Sequence, residues 1–407
     1  MDSINSGDTA WVLIATALVM LMTPALAFFY GGMVRRKNVL STLNFSFILM
    51  ALISIQWVVI GFTLAFGTSA GGLIGGLNYL GLNGVGAEPN ADYAGSIPFL
   101  LFAAYQMMFA VITPALISGT FVERIRFRTF LIFSLVWATL VYDPVAHWVW
   151  GVGGILRNLG ALDFAGGTVV HITAGFSALA FALVIRSRKE FGNGGIEPHN
   201  IPFSVLGAGL LWVGWFGFNG GSALAANGLA VTALVNTNTA AAAAGLVWML
   251  LSWRDGKPSV LGIITGAVVG LVAITPAAGY VTPLAAVIIG GLAAPISYYA
   301  IKLRQGRGLD ESLDVWACHG MGGLWGALAT GLFATKAINP AGADGLFYGN
   351  PSQFLVQLVA AAVTVVFAMV ATFLIAKVLK RTVGLSVTET EEQVGLDIAE
   401  HGERAYA

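Results

Sequence analysis

Two histidines stand where titratable side chains are rarest. Residues 163–175, DFAGGTVVHITAG, carry Asp163 and, eight residues later, His171 within a long apolar run. As a helix rising about 1.5 Å per residue, the run places His171 roughly 12 Å below Asp163. Residues 314–323, DVWACHGMGG, repeat the theme, with Asp314, then His319 five residues on, then glycines. An imidazole at bilayer depth is costly and marks function. It donates, accepts and titrates near neutrality, which suits a pair lining a narrow path and sharing a proton through facing ring nitrogens. Two other chemistries stay open: structural histidines, each satisfied by a carbonyl or hydroxyl, or a zinc site. For zinc there is no HExxH and no clear third ligand.

The carboxylates read first as helix starts. Asp163 precedes Phe164-Ala165-Gly166-Gly167 and can accept from the first free backbone N–H groups, while its charge also favours a nearby cation. Asp314 opens its run in the same way and reads as structural. Trp150 falls where an apolar run meets the outer surface, so it anchors an aromatic belt or offers a π face to a small cation. In GWFGFNGGSA, Phe218 and Ser222 are four apart and share a helix face. With Phe109 they would make an apolar gate beneath one hydroxyl. Cys318 is the single cysteine; it points about 100° away from His319 on a helix and reads as packing.

These residues need a membrane to position them. The 407 residues are 57 % hydrophobic and 10 % charged, against about 25 % charged in soluble domains, and the mean hydropathy is +0.81. Zero net charge argues against a nucleic-acid partner. Spans of about 20 apolar residues fall at 9–32, 39–67, 98–122, 129–150, 164–186, 203–222, 231–253, 259–278, 281–302, 314–336 and 352–379. The first is read as a true span, since Asp2 and Asp8 precede it and no Lys or Arg does. Residues 68–97 form a long outer loop and 380–407 a polar tail. Connections after odd-numbered spans, helix ends facing them and the tail hold 18 of the 20 Lys and Arg residues; Arg157 and Lys336 are on the other side. The positive-inside rule then puts the N-terminus outside and the C-terminus in the cytoplasm. Five spans is an odd number, so the halves 9–186 and 203–336 are inverted repeats and span 11 is an addition; such plans place a site at the midplane. The fold expected is an all-α, multi-pass integral membrane protein.

The DFAGGTVVHITAG run, WFGFNGGSA, the DxxxxHGxGG pattern, FFYGGMVRRKN and the tail GLDIAEHGERAY resemble the ammonium transporter/Rh family over about residues 8 to 406. The resemblance implies a homotrimer in the plasma or inner membrane with one path per subunit. It makes His171 and His319 twin pore histidines, and Phe109 and Phe218 stacked gate rings. Trp150, Tyr105, Ser222 and Phe109 would form the outer ammonium-recruitment site, with the Asp163 carboxylate below it. It implies ammonium or ammonia as substrate, with methylammonium as an analogue. It further implies no cofactor, no metal and no enzymatic activity, and a tail that docks under the cytoplasmic face beside a PII-type regulatory protein.

Ammonium matches potassium in size and charge but has four N–H donors and a proton to lose. An apolar bore excludes an ion that cannot shed its charge. A split route, ammonia through the bore and the proton along histidines or water, would be electrogenic and exclude potassium. Three rivals remain: a sodium-coupled carrier, which would be expected to use broken helices; an intramembrane hydrolase or metal enzyme; and an ammonium sensor of the same fold with little transport.

Overall fold

The computed structural model describes residues 4–406 except Asn193 and Gly195. Each expected span coincides with a helix. We label them α1 (Ser6–Met33), α2 (Arg36–Phe66), α3 (Phe99–Ser118), α4 (127–150), α5 (Gly167–Ala182), α6 (Ile201–Ala223), α7 (Gly228–Arg254), α8 (Val260–Ile274), α9 (Pro283–Gly306), α10 (316–333) and α11 (Pro351–Thr382). Eight are long and apolar enough to cross a membrane by length and composition; α5, α8 and α10 fall outside that set. Two of these are deeply packed in protein: every residue of α8 from Gly266 to Ile274 is buried, and all of α5 but Leu179. Short helices suit this place because their ends meet protein rather than lipid.

α5 and α10 share a local plan. Each begins with a π-helical turn carrying its histidine, Gly167–Ile172 and Trp316–Met321, and continues as regular α-helix. Each has a glycine four residues after the histidine. A Cβ on Gly175 would stand 2.0 Å from the Gly320 nitrogen, and one on Gly323 would stand 2.9 Å from the His171 Cβ. Each histidine thus sits where the other helix has no side chain. The two backbones cross in contact, and this brings residues 148 positions apart to one point.

The outer loop carries a hairpin pairing Ser69–Ala70 with Ile74–Gly75. The tail is folded against the basic end of the molecule. Helices α12 (Glu389–Val394) and α13 (Leu396–His401) lie under α2. Leu396 donates its N–H to Asn38, Asp397 accepts from the Ser41 N–H, and Glu392 pairs with Arg186 at 2.6 Å. The polar tail is thus bonded to the body of the protein. Above it, Arg35, Glu123, Arg188, Asp310 and Arg124 make a buried ion network that ties four connections together. Burial alone would raise the Glu123 carboxyl, but Arg188 and Arg35 outweigh it and hold the group below its usual range.

Candidate functional site

Three cavities follow one another through the molecule. An outer one of about 430 Å³ is lined by Phe109, Trp150, Asp163 and Ser222, together with Gln106 and Arg157. A slot of about 10 Å³, room for roughly one water, holds His171 and His319 among Leu26, Val170, Trp215, Phe218 and other apolar side chains. An inner cavity of about 390 Å³ is bordered by His319, Asp314, Cys318 and Tyr30. His319 lines both the slot and the inner cavity and so stands at the divide between them, with Phe29 and Val268.

The two phenylalanine rings expected to form a gate pack against each other. Phe109 and Phe218 lie 4.3 Å apart between centroids at 39°, and Trp150 meets Phe109 edge to face at 6.0 Å. Beneath them His171 stacks on Phe218 at 5.9 Å and on Trp215 at 5.4 Å. His171 Nδ1 and His319 Nδ1 are 3.3 Å apart. One must donate and the other accept, so one ring presents a protonated Nε2 and the other an unprotonated one. His171 Nε2 is buried and has no hydrogen-bond partner. Among the described residues no group of three His, Cys, Asp or Glu side chains is placed to hold a metal ion.

Asp163 does not touch His171. Its two oxygens accept four N–H groups, from Gly166, Gly167, Thr168 and Val169, at 2.6–3.0 Å. These are the donors that a helix start leaves unpaired. The cap residue itself is Gly166, at φ 113°, which lets the chain turn back onto the carboxylate. Trp150 is held from the same place, its indole N–H donating to the Asp163 carbonyl at 3.0 Å. Ser222 Oγ donates to the Phe218 carbonyl at 2.8 Å, leaving its lone pair for the cavity.

Tyr105, expected in the outer site, does not line the cavity. It is fully buried, and its hydroxyl, with one proton to give, lies 2.8 and 2.9 Å from the carbonyls of Gly217 and Phe218 and 3.2 Å from Ser222 Oγ. The π-helical turn Phe216–Gly220 presents those carbonyls sideways, and the phenol takes them. Tyr105 therefore packs behind the two phenylalanines, with its ring 5.0 Å from Phe109.

Asp314 also differs from its expected role. At φ 58° it turns its side chain to Arg304 at 2.6 Å. The carboxylate that meets the start of α10 is Glu311, which accepts from the Trp316 N–H at 3.1 Å and from Thr120 at 3.2 Å. Glu311 lies eight residues before His319, the spacing of Asp163 to His171. The sequence held that signal in Asp-Glu-Ser-Leu-Asp, but the acid nearest the helix hid the one that bonds it. Gln106 was also missed; its Oε1 is buried at the cavity wall with no partner. It is a polar residue in the long apolar run of α3, a cue of the kind that singled out the histidines.

The chain matches the Ammonium Transporter Family over residues 10–406. It is 52 % identical to the ammonium transporter of Bacillus subtilis, covering 98 % of each chain, and 50 % identical to the ammonium transporter Amt1 of Archaeoglobus fulgidus, covering 99 % and 100 %. Among solved structures, Candida albicans Mep2 superposes with a TM-score of 0.90 at 37 % identity over 99 % of this chain and 91 % of that one. A structure described as a sensor Amt protein superposes at 0.89 with 29 % identity over 97 % and 98 %. With the membrane-spanning helices, these relationships make this a multi-pass membrane protein, and it belongs to the ammonium transporter family.

Proposed function

We propose that this protein transports ammonium by capturing the cation outside, removing its proton and passing ammonia through the histidine slot, with the proton moving separately. The observation that carries the reading is the imidazole pair with an unpartnered Nε2, set in an otherwise apolar slot between two larger cavities of mixed lining.

In the outer cavity the faces of Trp150 and Phe109 attract the cation, and Ser222 Oγ and Gln106 Oε1 accept its N–H groups. Asp163 acts through its potential, because its oxygens are committed to backbone donors. Beyond Phe109 and Phe218 a charge is penalised and a neutral molecule is not. Ammonia donates and accepts, so it matches the mixed donor and acceptor face of the histidine pair. Potassium has no proton to leave behind. Charge movement along the imidazoles or water makes the process electrogenic and keeps potassium out. Tyr105 serves as a positioning residue for the gate.

The same reading takes the N-terminus as external and the basic end as cytoplasmic, with residues 1–379 as the membrane unit and 380–407 as its tail. It takes three copies as the working assembly and a PII-type protein as a candidate partner at the docked tail. Methylammonium would be carried as an analogue. A sensor of the same fold with little transport is the second reading; one structural neighbour at 29 % identity carries that description, against relatives at 52 % and 50 % identity that are named transporters. Purified protein in liposomes separates the two. An ammonium jump should give a transient current together with internal alkalinisation, and a potassium jump should give neither. Equal potassium and ammonium currents would refute the split route, and the absence of both signals would favour the sensor.

A further inference from the structure

We propose that Asp92 and Arg157 are an opposed pair of fixed charges at the mouth of the outer cavity, and that together they set how readily the cavity captures a cation. The inference rests on the transport reading above and concerns its first step only.

Arg157 is one of two basic residues on its side of the chain, yet it lines the cavity that would receive a cation. Its place is fixed. Nη1 donates to the Trp150 carbonyl at 2.6 Å, and Trp150 is the last residue of α4. The negative end of a helix dipole favours a cation there. The bond is not needed to hold Trp150, which is anchored by its indole on Asp163 and by its contact with Phe109. Nor does it hold the loop, which is pinned by the Val152 N–H on the Tyr93 hydroxyl and by Leu162 on Gln357. What Arg157 adds is a positive charge where a cation enters.

Asp92 lines the same cavity from the outer loop, its own N–H tied to Asn90 Oδ1 at 3.0 Å. Asp92 and Arg157 do not pair with each other among the described residues. Both charges therefore face the entering ion, one drawing it in and one opposing it. At roughly 8 Å in water-like surroundings, one unit charge changes cation occupancy about twofold, and salt screens the effect over a Debye length of about 8 Å at physiological ionic strength. Both act on capture and neither acts on passage through the slot.

The test is the half-saturating ammonium concentration and the maximal rate of liposome alkalinisation, at low and at high sodium chloride. Arg157→Gln should lower the half-saturating concentration about twofold and Asp92→Asn should raise it by a similar factor. The double variant should return to the wild-type value, and Arg157→Lys should leave it unchanged. Maximal rates should match throughout, and the differences should collapse at about 0.5 M salt. A raised value in Arg157→Gln would mean that the residue positions Trp150, and would overturn the inference; so would an unchanged value or one indifferent to salt. If the wild type carried no ammonium, the transport reading would fail. Thermal stabilisation of the same variants by ammonium chloride in detergent would then decide the charge pair, with the order Arg157→Gln, wild type, Asp92→Asn expected and any other order contradicting it.

Discussion

Asp163 shows how one side chain serves architecture and, on the proposed reading, function as well. With four backbone donors on its two oxygens, it holds the turn that delivers His171. A single helix cap is worth about 1 kcal/mol, and a buried donor left unsatisfied costs about 1–3 kcal/mol. Asp163→Ala should therefore lower the melting temperature in detergent and abolish ammonium uptake. Asp163→Asn, which keeps one acceptor oxygen, should retain more of the stability than of the activity. An alanine variant with wild-type melting and uptake would contradict this role. Gln106 is the opposite case, a polar group that the fold does not use. Gln106→Leu should leave the melting temperature within about 1 °C, since surface and half-buried changes away from special features usually cost under about 0.5 kcal/mol. The half-saturating ammonium concentration should rise severalfold. An unchanged value would mean that Oε1 does not meet the substrate.

At the scale of the element, the paired starts of α5 and α10 were only half legible in the sequence. The histidines and their glycines could be read, because an apolar run leaves them exposed to notice. The second cap could not, because Arg304, ten residues before Asp314 and at the end of the preceding helix, draws that acid away. The π-helical turns were equally hidden, and with them the reason Tyr105 points at carbonyls instead of into the cavity. Glu311 carries a testable consequence. Burial first, and Asp314 second, push its carboxyl up to about 7 from an ordinary 4.5, against the pull of Arg304. A group raised in the folded state stabilises it most below the unfolded value, and that stability is lost as pH rises from 4.5 through about 7. Glu123 and Asp310 are held low, so their contribution is present above about pH 4.5 and is constant across this window. Wild-type thermal stability should therefore fall between pH 5 and pH 8. Glu311→Gln, neutral throughout, should flatten that fall and at pH 8 be no less stable than the wild type. A variant that melts lower at pH 8 and keeps the slope would contradict the assignment.

At the scale of the whole molecule, charge was the informative signal. Hydropathy placed eleven segments, each of which coincides with a helix, and the alternation of basic connections agrees with that count. It could not show how far each is buried in protein, because hydropathy reports apolar surroundings without telling lipid from protein. Nor could composition show that the acidic tail folds onto α2, since those contacts depend on Asn38 and Ser41 in the first turns of that helix, 358 and 356 residues from their partners in sequence. The architecture converges on one narrow point, the imidazole pair between the two cavities. The most direct test of the account is therefore potassium conductance in liposomes for the wild type, His171→Ala and His319→Ala. We expect no potassium current in the wild type and a measurable one in the variants, as removing a ring widens the slot and lets water accompany the ion. Variants that still carry ammonium and remain closed to potassium would contradict the claim that the two histidines are the selectivity element.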